Sequence, residues 1–244
     1  MTSFIVPDWP APPGVRALAT TRQGGVSRAP WDSFNLGDHV GDVPQAVAAN
    51  RALLRRELPA EPVWLRQVHG TRCVDAGTAA RVTSGTEADA SFTRQRGVVC
   101  AVLTADCLPV LLCDDQASVV AIAHAGWRGL AAGVIEATVG AMAVPGERLM
   151  AWLGPAIGPQ AFEVGGEVRA LFVAQDPRAA GAFVATAQGK WLCDIYRLAR
   201  QRLDALGIRR VASANSCTLA DAATFFSFRR DGVTGRMASL IWLE

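Results

Sequence analysis

The sequence predicts an α+β protein: a single domain, residues 1–244, built around buried mixed sheet. Three observations predict it. Several short apolar runs, Val98–Leu103, Val110–Cys113, Val119–Ala123 and Leu149–Leu153, are continuous rather than alternating, as strands covered on both faces are. Strands and helices intermingle without strict β-α-β alternation, which separates the chain from doubly wound folds. No linker, repeat or low-complexity stretch interrupts the 244 residues, a length that fits one large domain.

The elements follow in order. Val15–Thr21 reads as a strand before a Gly24-Gly25 turn. Asn35–Asp42 is a Gly/Asp-rich loop. Pro44–Leu58 reads as a helix with Pro44 in its first turn and Val47, Leu53, Leu54 and Leu58 toward the core. Val63–Gln67 and Thr71–Asp75 read as strands joined near His69-Gly70. After the apolar strands, Leu130–Met142 reads as a helix stopped by Pro145-Gly146. Leu149–Leu153 runs into the loop Gly154–Pro159. Gly166–Ala174 and Asp194–Leu206 are expected helices, the second closed by Gly207, and Ile208–Ala212 an expected strand. Asp231-Gly232 between Phe225–Arg229 and Arg236–Leu243 predicts a hairpin.

Composition excludes several classes. A net charge of +2 offers no electrostatic case for nucleic acid. No apolar run approaches the roughly 20 residues of a spanning helix, so no membrane role is expected. The N-terminus lacks the basic and apolar regions of a signal peptide, and the expectation is a cytoplasmic protein. The single lysine, Lys190, is followed by Trp191, which removes a P-loop. Six cysteines contain no Cys-x-x-Cys pair, and Cys100 and Cys113 sit in apolar runs as small buried hydrophobes. His-Glu-x-x-His, Gly-x-Ser-x-Gly and His-x-Glu with Pro-Cys-x-x-Cys are all absent. Three histidines, His39, His69 and His124, cannot supply a trinuclear copper cluster, which needs roughly ten imidazoles.

Rare residues concentrate in three segments: Arg66-Gln-Val-His-Gly70, Ala105-Asp-Cys-Leu-Pro109 and His124-Ala-Gly-Trp-Arg-Gly129. Each follows an expected strand, where side chains project into crevices at sheet edges. Pro109 is expected to turn the chain out of regular structure after Cys107. Two imidazoles and a thiolate, His69, Cys107 and His124, suit Zn²⁺ with an open position, or copper. Their spacings of 38 and 17 residues match no compact zinc motif, so spacing leaves the metal open. Arg128, at the expected start of a helix, is a candidate anion ligand.

Several stretches resemble one family: Thr21-Arg-Gln-Gly-Gly-Val-Ser27, Asn35–Asp42, Gln67-Val-His-Gly70, Ala105–Pro109, His124–Gly129, Gly154-Pro-Ala-Ile-Gly158, Phe162-Glu-Val-Gly165, Phe225–Arg230 and Thr234–Met237. In this order, from about residue 15 to the C-terminus, they resemble the YfiH, or laccase-domain, family. The resemblance implies an α/β/β/α layered fold related to cysteine-dependent toxin deamidases. It implies a zinc-binding purine nucleoside phosphorylase, acting on nucleosides with phosphate, with adenosine deaminase activity and action on methylthioadenosine. The family's metal ligands map onto His69, Cys107 and His124. On the phosphorylase reading Arg128 is the candidate phosphate ligand, Asp106 is a candidate for a ribose hydroxyl or for a structural cap, and Asn35 and His39 lie in a loop able to close over base or sugar. Phe228 stands where the family usually has Tyr. Beside this reading stand a Cys–His hydrolase with Cys107 as nucleophile and His124 as base, acting on an amide such as a cell-wall precursor; a single-copper polyphenol oxidase; and a binding protein with a structural metal.

Overall fold

Side-chain alternation in the central strands sets the layers of this protein. The computed structural model describes residues 4–79 and 85–244. The first two strands, β1 (Phe4–Ile5) and β2 (Val15–Thr20), precede helix α1 (Pro44–Arg55). Then come β3 (Cys73–Asp75), the short α2 (Ala76–Ala79), β4 (Ala90–Thr93), β5 (Cys100–Thr104), β6 (Leu108–Asp114) and β7 (Val120–Ala125). Helices α3 (Trp127–Ala132) and α4 (Val134–Met142) lead to β8 (Leu149–Leu153), β9 (Glu163–Val164) and α5 (Gly166–Gln175). The chain closes with β10 (Phe183–Ala185), β11 (Trp191–Cys193), α6 (Ile195–Ala205), β12 (Arg210–Ser213), α7 (Phe228–Asp231) and β13 (Met237–Leu243).

One sheet has the order β12-β8-β6-β7-β4-β3 and is mixed, with parallel pairs only at its two edges. A second, β1-β2-β13-β5, is antiparallel, and β10-β11-β9 form a small third sheet. Leu111, Cys113, Val120, Ile122 and Trp152 of the six-stranded sheet meet Val15, Cys100, Val102 and Ile241 of the four-stranded sheet. The alternate residues Val110, Leu112, Ala121 and Leu153 pack under Ile135, Phe172 and Leu198 of α4, α5 and α6. On the far side, Leu18, Ala101, Leu103 and Leu240 pack under Leu54 of α1. Helix, sheet, sheet, helix is therefore the layer order, as the resemblance implies, and the α+β class holds. Each inner strand is apolar on both faces because each face meets a different layer.

Several local expectations are corrected. Val63–Gln67 is not a regular strand: two isolated bridges, Val63 to Cys100 and Arg66 to Glu87, are its only ladder contacts among the described residues. Gln67 replaces the ladder with its side chain, donating to the Leu103 carbonyl at 2.9 Å and accepting from the Leu103 N–H at 2.7 Å. The expected Leu130–Met142 helix begins at Trp127 and breaks at Gly133, whose φ of 100° ends α3 and starts α4. Pro109 does not leave regular structure but lies within β6. It faces Gly154, whose N–H donates to the Pro109 carbonyl at 2.9 Å. The return bond that Pro109 cannot make is replaced, as the Tyr196 hydroxyl donates to the Gly154 carbonyl at 3.0 Å.

The expected C-terminal hairpin is absent. Ser227 accepts the Arg230 N–H and caps α7, and Gly232, at φ 69°, closes it. β13 instead fills the slot between β2 and β5. Among the described residues no helix is long and apolar enough to cross a membrane.

Candidate functional site

The two sheets leave a crevice at one end, and His124 points into it. Val120 and Ile122 of β7 face the four-stranded sheet, and the two-residue period carries His124 to the same side at the strand's end. His124 thus lies within β7, one position further into the sheet than its sequence suggests. Cys107 sits in the tight turn between β5 and β6. His69 sits in the loop before β3.

These three meet. The donor atoms of His69, Cys107 and His124 all lie within 4.8 Å of one another. Cys107 Sγ is 3.8 Å from His69 Nε2, and the two imidazole rings stack edge-on with centroids 4.8 Å apart. His124 is buried, Cys107 half-buried and His69 exposed, so the cluster opens to solvent on one side. Gly126 allows this convergence: a Cβ there would lie 2.9 Å from both Cys107 Sγ and His69 Cδ2. Gly126→Ala is expected to weaken binding of a metal at this cluster by about tenfold or more, since misplaced ligands cost that much, with the helical circular dichroism unchanged. Equal metal affinity in the variant contradicts this reading of Gly126.

The residue that organises the cluster carries no signal in the sequence. Asp89, fully buried, accepts the backbone N–H groups of Val68, His69 and Gly70 at 3.1, 2.9 and 2.7 Å. His69 adopts the left-handed conformation, φ 60°, that makes these successive N–H groups converge. Asp89 Oδ1 also lies 2.8 Å from His124 Nδ1. An ionised carboxylate only accepts, so Nδ1 carries a proton and Nε2 is left to face Cys107. Burial works against the Asp89 charge, but His124 and the N–H groups of Gly70 and Val68 outweigh it and hold the carboxyl below its usual range. Burial likewise opposes the Cys107 thiolate, yet His124 and His69 draw the thiol down. His124 is raised in turn, its burial outweighed by Cys107 and Asp89.

This donor set fits a metal. Two imidazole nitrogens and a thiolate match the softness that zinc or copper takes, and a carboxylate behind one imidazole is the usual support of such a ligand. The cluster lies in a cavity of about 510 Å³, whose walls include His39, Gln67, Trp127, Arg128, Phe162, Phe228, Arg229 and Arg236.

The remaining sequence candidates divide. His39 and Arg128 line the cavity, and the Arg128 guanidinium lies 4.3 Å from the Trp127 ring centre. Asp106 also reaches the wall, but its carboxylate is committed to the protein, accepting from Thr218 Oγ1 at 2.6 Å and from the Arg229 N–H at 2.7 Å. It ties the β5–β6 turn to the start of α7, which is the structural alternative for this residue. Asn35 is fully buried and does not line the cavity. Its amide donates to Gly37 O and Asp42 Oδ2, and its carbonyl accepts from the Gly37 and Arg236 N–H groups. Phe228, 57% exposed, stands at the cavity wall with a bare ring edge where a tyrosine would present a hydroxyl. Asp89, Arg229 and Arg236 escape sequence reasoning because each acts through partners distant in the chain.

Fold and site together define a layered α+β protein with an open His–Cys–His centre between two sheets. The chain belongs to the family described as multi-copper polyphenol oxidoreductase laccase, whose family model matches residues 16–244. It is 56% identical over 245 residues to a purine nucleoside phosphorylase of Pseudomonas aeruginosa, covering 100% of both chains. It is 53% identical to the purine nucleoside phosphorylase YfiH of Escherichia coli, again over 100% of both. Among solved structures it resembles a Neisseria meningitidis protein of family-model DUF152, with a TM-score of 0.95, 51% identity and 99% of each chain covered. It also resembles YlmD from Geobacillus stearothermophilus, with a TM-score of 0.89, 31% identity and 96% and 94% of the two chains covered.

Proposed function

We propose that this chain is a zinc-dependent purine nucleoside phosphorylase of the cytoplasm, acting on adenosine, inosine and methylthioadenosine, with adenosine deaminase as a second activity. The observation that carries the reading is the His69–Cys107–His124 cluster set in one cavity with aromatic rings and guanidinium groups, in a chain whose relatives bear the phosphorylase name. His69, Cys107 and His124 hold the zinc. Bound zinc supplies Lewis acidity at its open position.

The chain's own residues do the rest. Asp89 keeps the His124 proton on Nδ1. Trp127, Phe162 and Phe228 offer flat apolar surface to a purine, and a cavity of about 510 Å³ accommodates a nucleoside with phosphate. Arg128 and His39 bring positive or hydrogen-bonding groups to the wall for the phosphate and sugar. In phosphorolysis a phosphate oxygen bonds to ribose C1′ as the bond to the base breaks, and the base leaves with a proton. Incubating the purified protein with adenosine, with and without phosphate, tests the reading by chromatography. Adenine and ribose 1-phosphate are expected only with phosphate, and a slower release of inosine in both. No change in adenosine overturns it.

Arg128→Ala is expected to lower phosphorolysis more than deamination, because only phosphorolysis needs the anion. Loss of a charge-assisted contact separates the two activities by roughly 10-fold. Equal losses would make Arg128 structural.

One observation favours a second reading, the Cys–His hydrolase. The depressed Cys107 thiol and raised His124 form a polarised pair of the kind that activates a nucleophile. The chain's three histidines, one of them outside the cluster, limit a copper alternative to one ion. Elemental analysis of protein made without added metal decides between zinc and copper.

A further inference from the structure

Positive charge in the cavity is unevenly supported. Arg128 lies on α3 with its side chain exposed and stacked on Trp127. Arg236 is different. It precedes β13, and its backbone N–H is fixed by Asn35 Oδ1 at 2.8 Å. Its Nη1 donates to the carbonyls of Thr234 and Gly235, both at 3.0 Å. Gly37 packs against its stem, where a Cβ would come within 2.8 Å of Arg236 Cγ, and its guanidinium sits 5.8 Å from the Phe228 ring centre. The side chain is thus held at backbone, stem and head, and among the described residues its hydrogen bonds run through Nη1 alone.

What Arg236 lacks is a direct ion pair. Among the described residues Arg22, Arg51, Arg202 and Arg230 each pair with a carboxylate, whereas Arg236, Arg229 and Arg128 enter no ion pair, and of these three Arg236 alone is half-buried. The one carboxylate in the cavity wall, Asp106, is turned to Thr218 and the Arg229 N–H and forms no ion pair with Arg236. Burial works against the Arg236 charge, opposed by Cys107 and Asp106. Arg229 is exposed but anchored too, its Nη1 donating to the Glu163 carbonyl at 2.7 Å and its guanidinium 5.4 Å from the Phe162 ring centre. A rigid, half-buried guanidinium held only by neutral carbonyls is built for a ligand anion, which its planar fork binds bidentately.

We propose that Arg236, with Arg229 in the same wall, is the principal seat of the substrate oxyanion: inorganic phosphate in one direction of the reaction, the phosphate of a sugar 1-phosphate in the other. Arg128 then guides the anion from the mouth. The assignment rests on the phosphorylase reading and refines it, moving the anion from the rim to the wall where the chain has spent structure on holding a cation. It also explains Asn35, which serves the site by fixing the Arg236 backbone while staying out of the cavity.

The test is calorimetric titration of inorganic phosphate into the zinc-loaded full-length protein, alongside KM for phosphate and for nucleoside. Arg236→Ala is expected to weaken phosphate binding and raise phosphate KM by about 10- to 100-fold, a larger change than in Arg128→Ala or in the nucleoside KM of the same variant. Arg236→Lys, which keeps charge and volume, guards against misfolding; it is expected to melt like the wild type and still to bind phosphate about tenfold more weakly, a point charge lacking the fork. Wild type that binds phosphate together with Arg236→Lys and Arg236→Ala proteins that bind it equally well overturns the assignment alone. Wild type that neither binds phosphate nor performs phosphorolysis overturns the phosphorylase reading with it.

Discussion

Cys107→Ser is expected to purify with little or no zinc, and the wild-type protein with about one ion per chain. The thiolate is the only anionic donor of the cluster, and a serine hydroxyl stays protonated at neutral pH and is a much poorer ligand for zinc. His69→Ala is expected to behave likewise, and His39→Ala, outside the cluster, to keep its zinc. The same residue separates the two enzyme readings. Zinc occupies the thiolate lone pair, so Cys107 in loaded protein is expected to resist iodoacetamide and to label once a chelator removes the metal. Site-resolved mass spectrometry follows it against Cys100 and Cys113, which burial pushes up to about 12 and which are expected to label slowly throughout. Rapid labelling of Cys107 in zinc-loaded protein, tracking inactivation, decides for the Cys–His hydrolase.

Asp89→Ala is expected to cost about 3–5 kcal/mol of stability, because it strands the buried His124 Nδ1 donor and three part-buried backbone N–H groups that the carboxylate now accepts. Asp89→Asn is the more informative change. Its amide oxygen still accepts, but its NH₂ faces N–H groups of the 68–70 loop and repels them. We expect it to fold and to bind zinc about 10- to 100-fold more weakly, because the amide oxygen still accepts the His124 Nδ1 proton but brings no negative charge behind the imidazole. The sign with pH follows from the lowered native carboxyl. A carboxyl that ionises more readily folded than unfolded stabilises the protein above its unfolded value of about 3.9, and that stabilisation disappears as pH falls through the native value. Urea melts in chelator are expected to show a shallower acid loss below about pH 4 in Asp89→Asn than in wild type. Parallel acid profiles would show that Asp89 is not ionised in the native protein.

The sequence was legible where the signals are local. Leu149–Leu153 matches β8 residue for residue, Asp194 caps α6 by accepting the Arg197 N–H, and Gly207 follows that helix at φ 81°. Continuous apolar runs announced strands covered twice, because burial on both faces needs no alternation. His69, Cys107 and His124 were visible as candidates because few residue types hold soft metals and these stand at strand ends beside glycine or proline. Pro109 and Asp231-Gly232 misled for one reason: each is a local turn signal overridden by distant partners, Tyr196 for the first and the slot between β2 and β5 for the second.

By itself, then, the sequence located β2, β5, β6, β7, β8, β12 and β13, excluded other metalloenzyme motifs and singled out three candidate donors, while β1, β4 and the small third sheet carried no local signal. Which polar residues serve them was decided only in three dimensions. Asp89 meets His124 across 35 residues and Asn35 meets the Arg236 backbone across 201, through the pairing of β4 with β7 and the seating of β13. A carboxylate or an amide carries no periodicity of its own; its role is set by which donors strand register leaves buried beside it, and register is a property of the packed sheets.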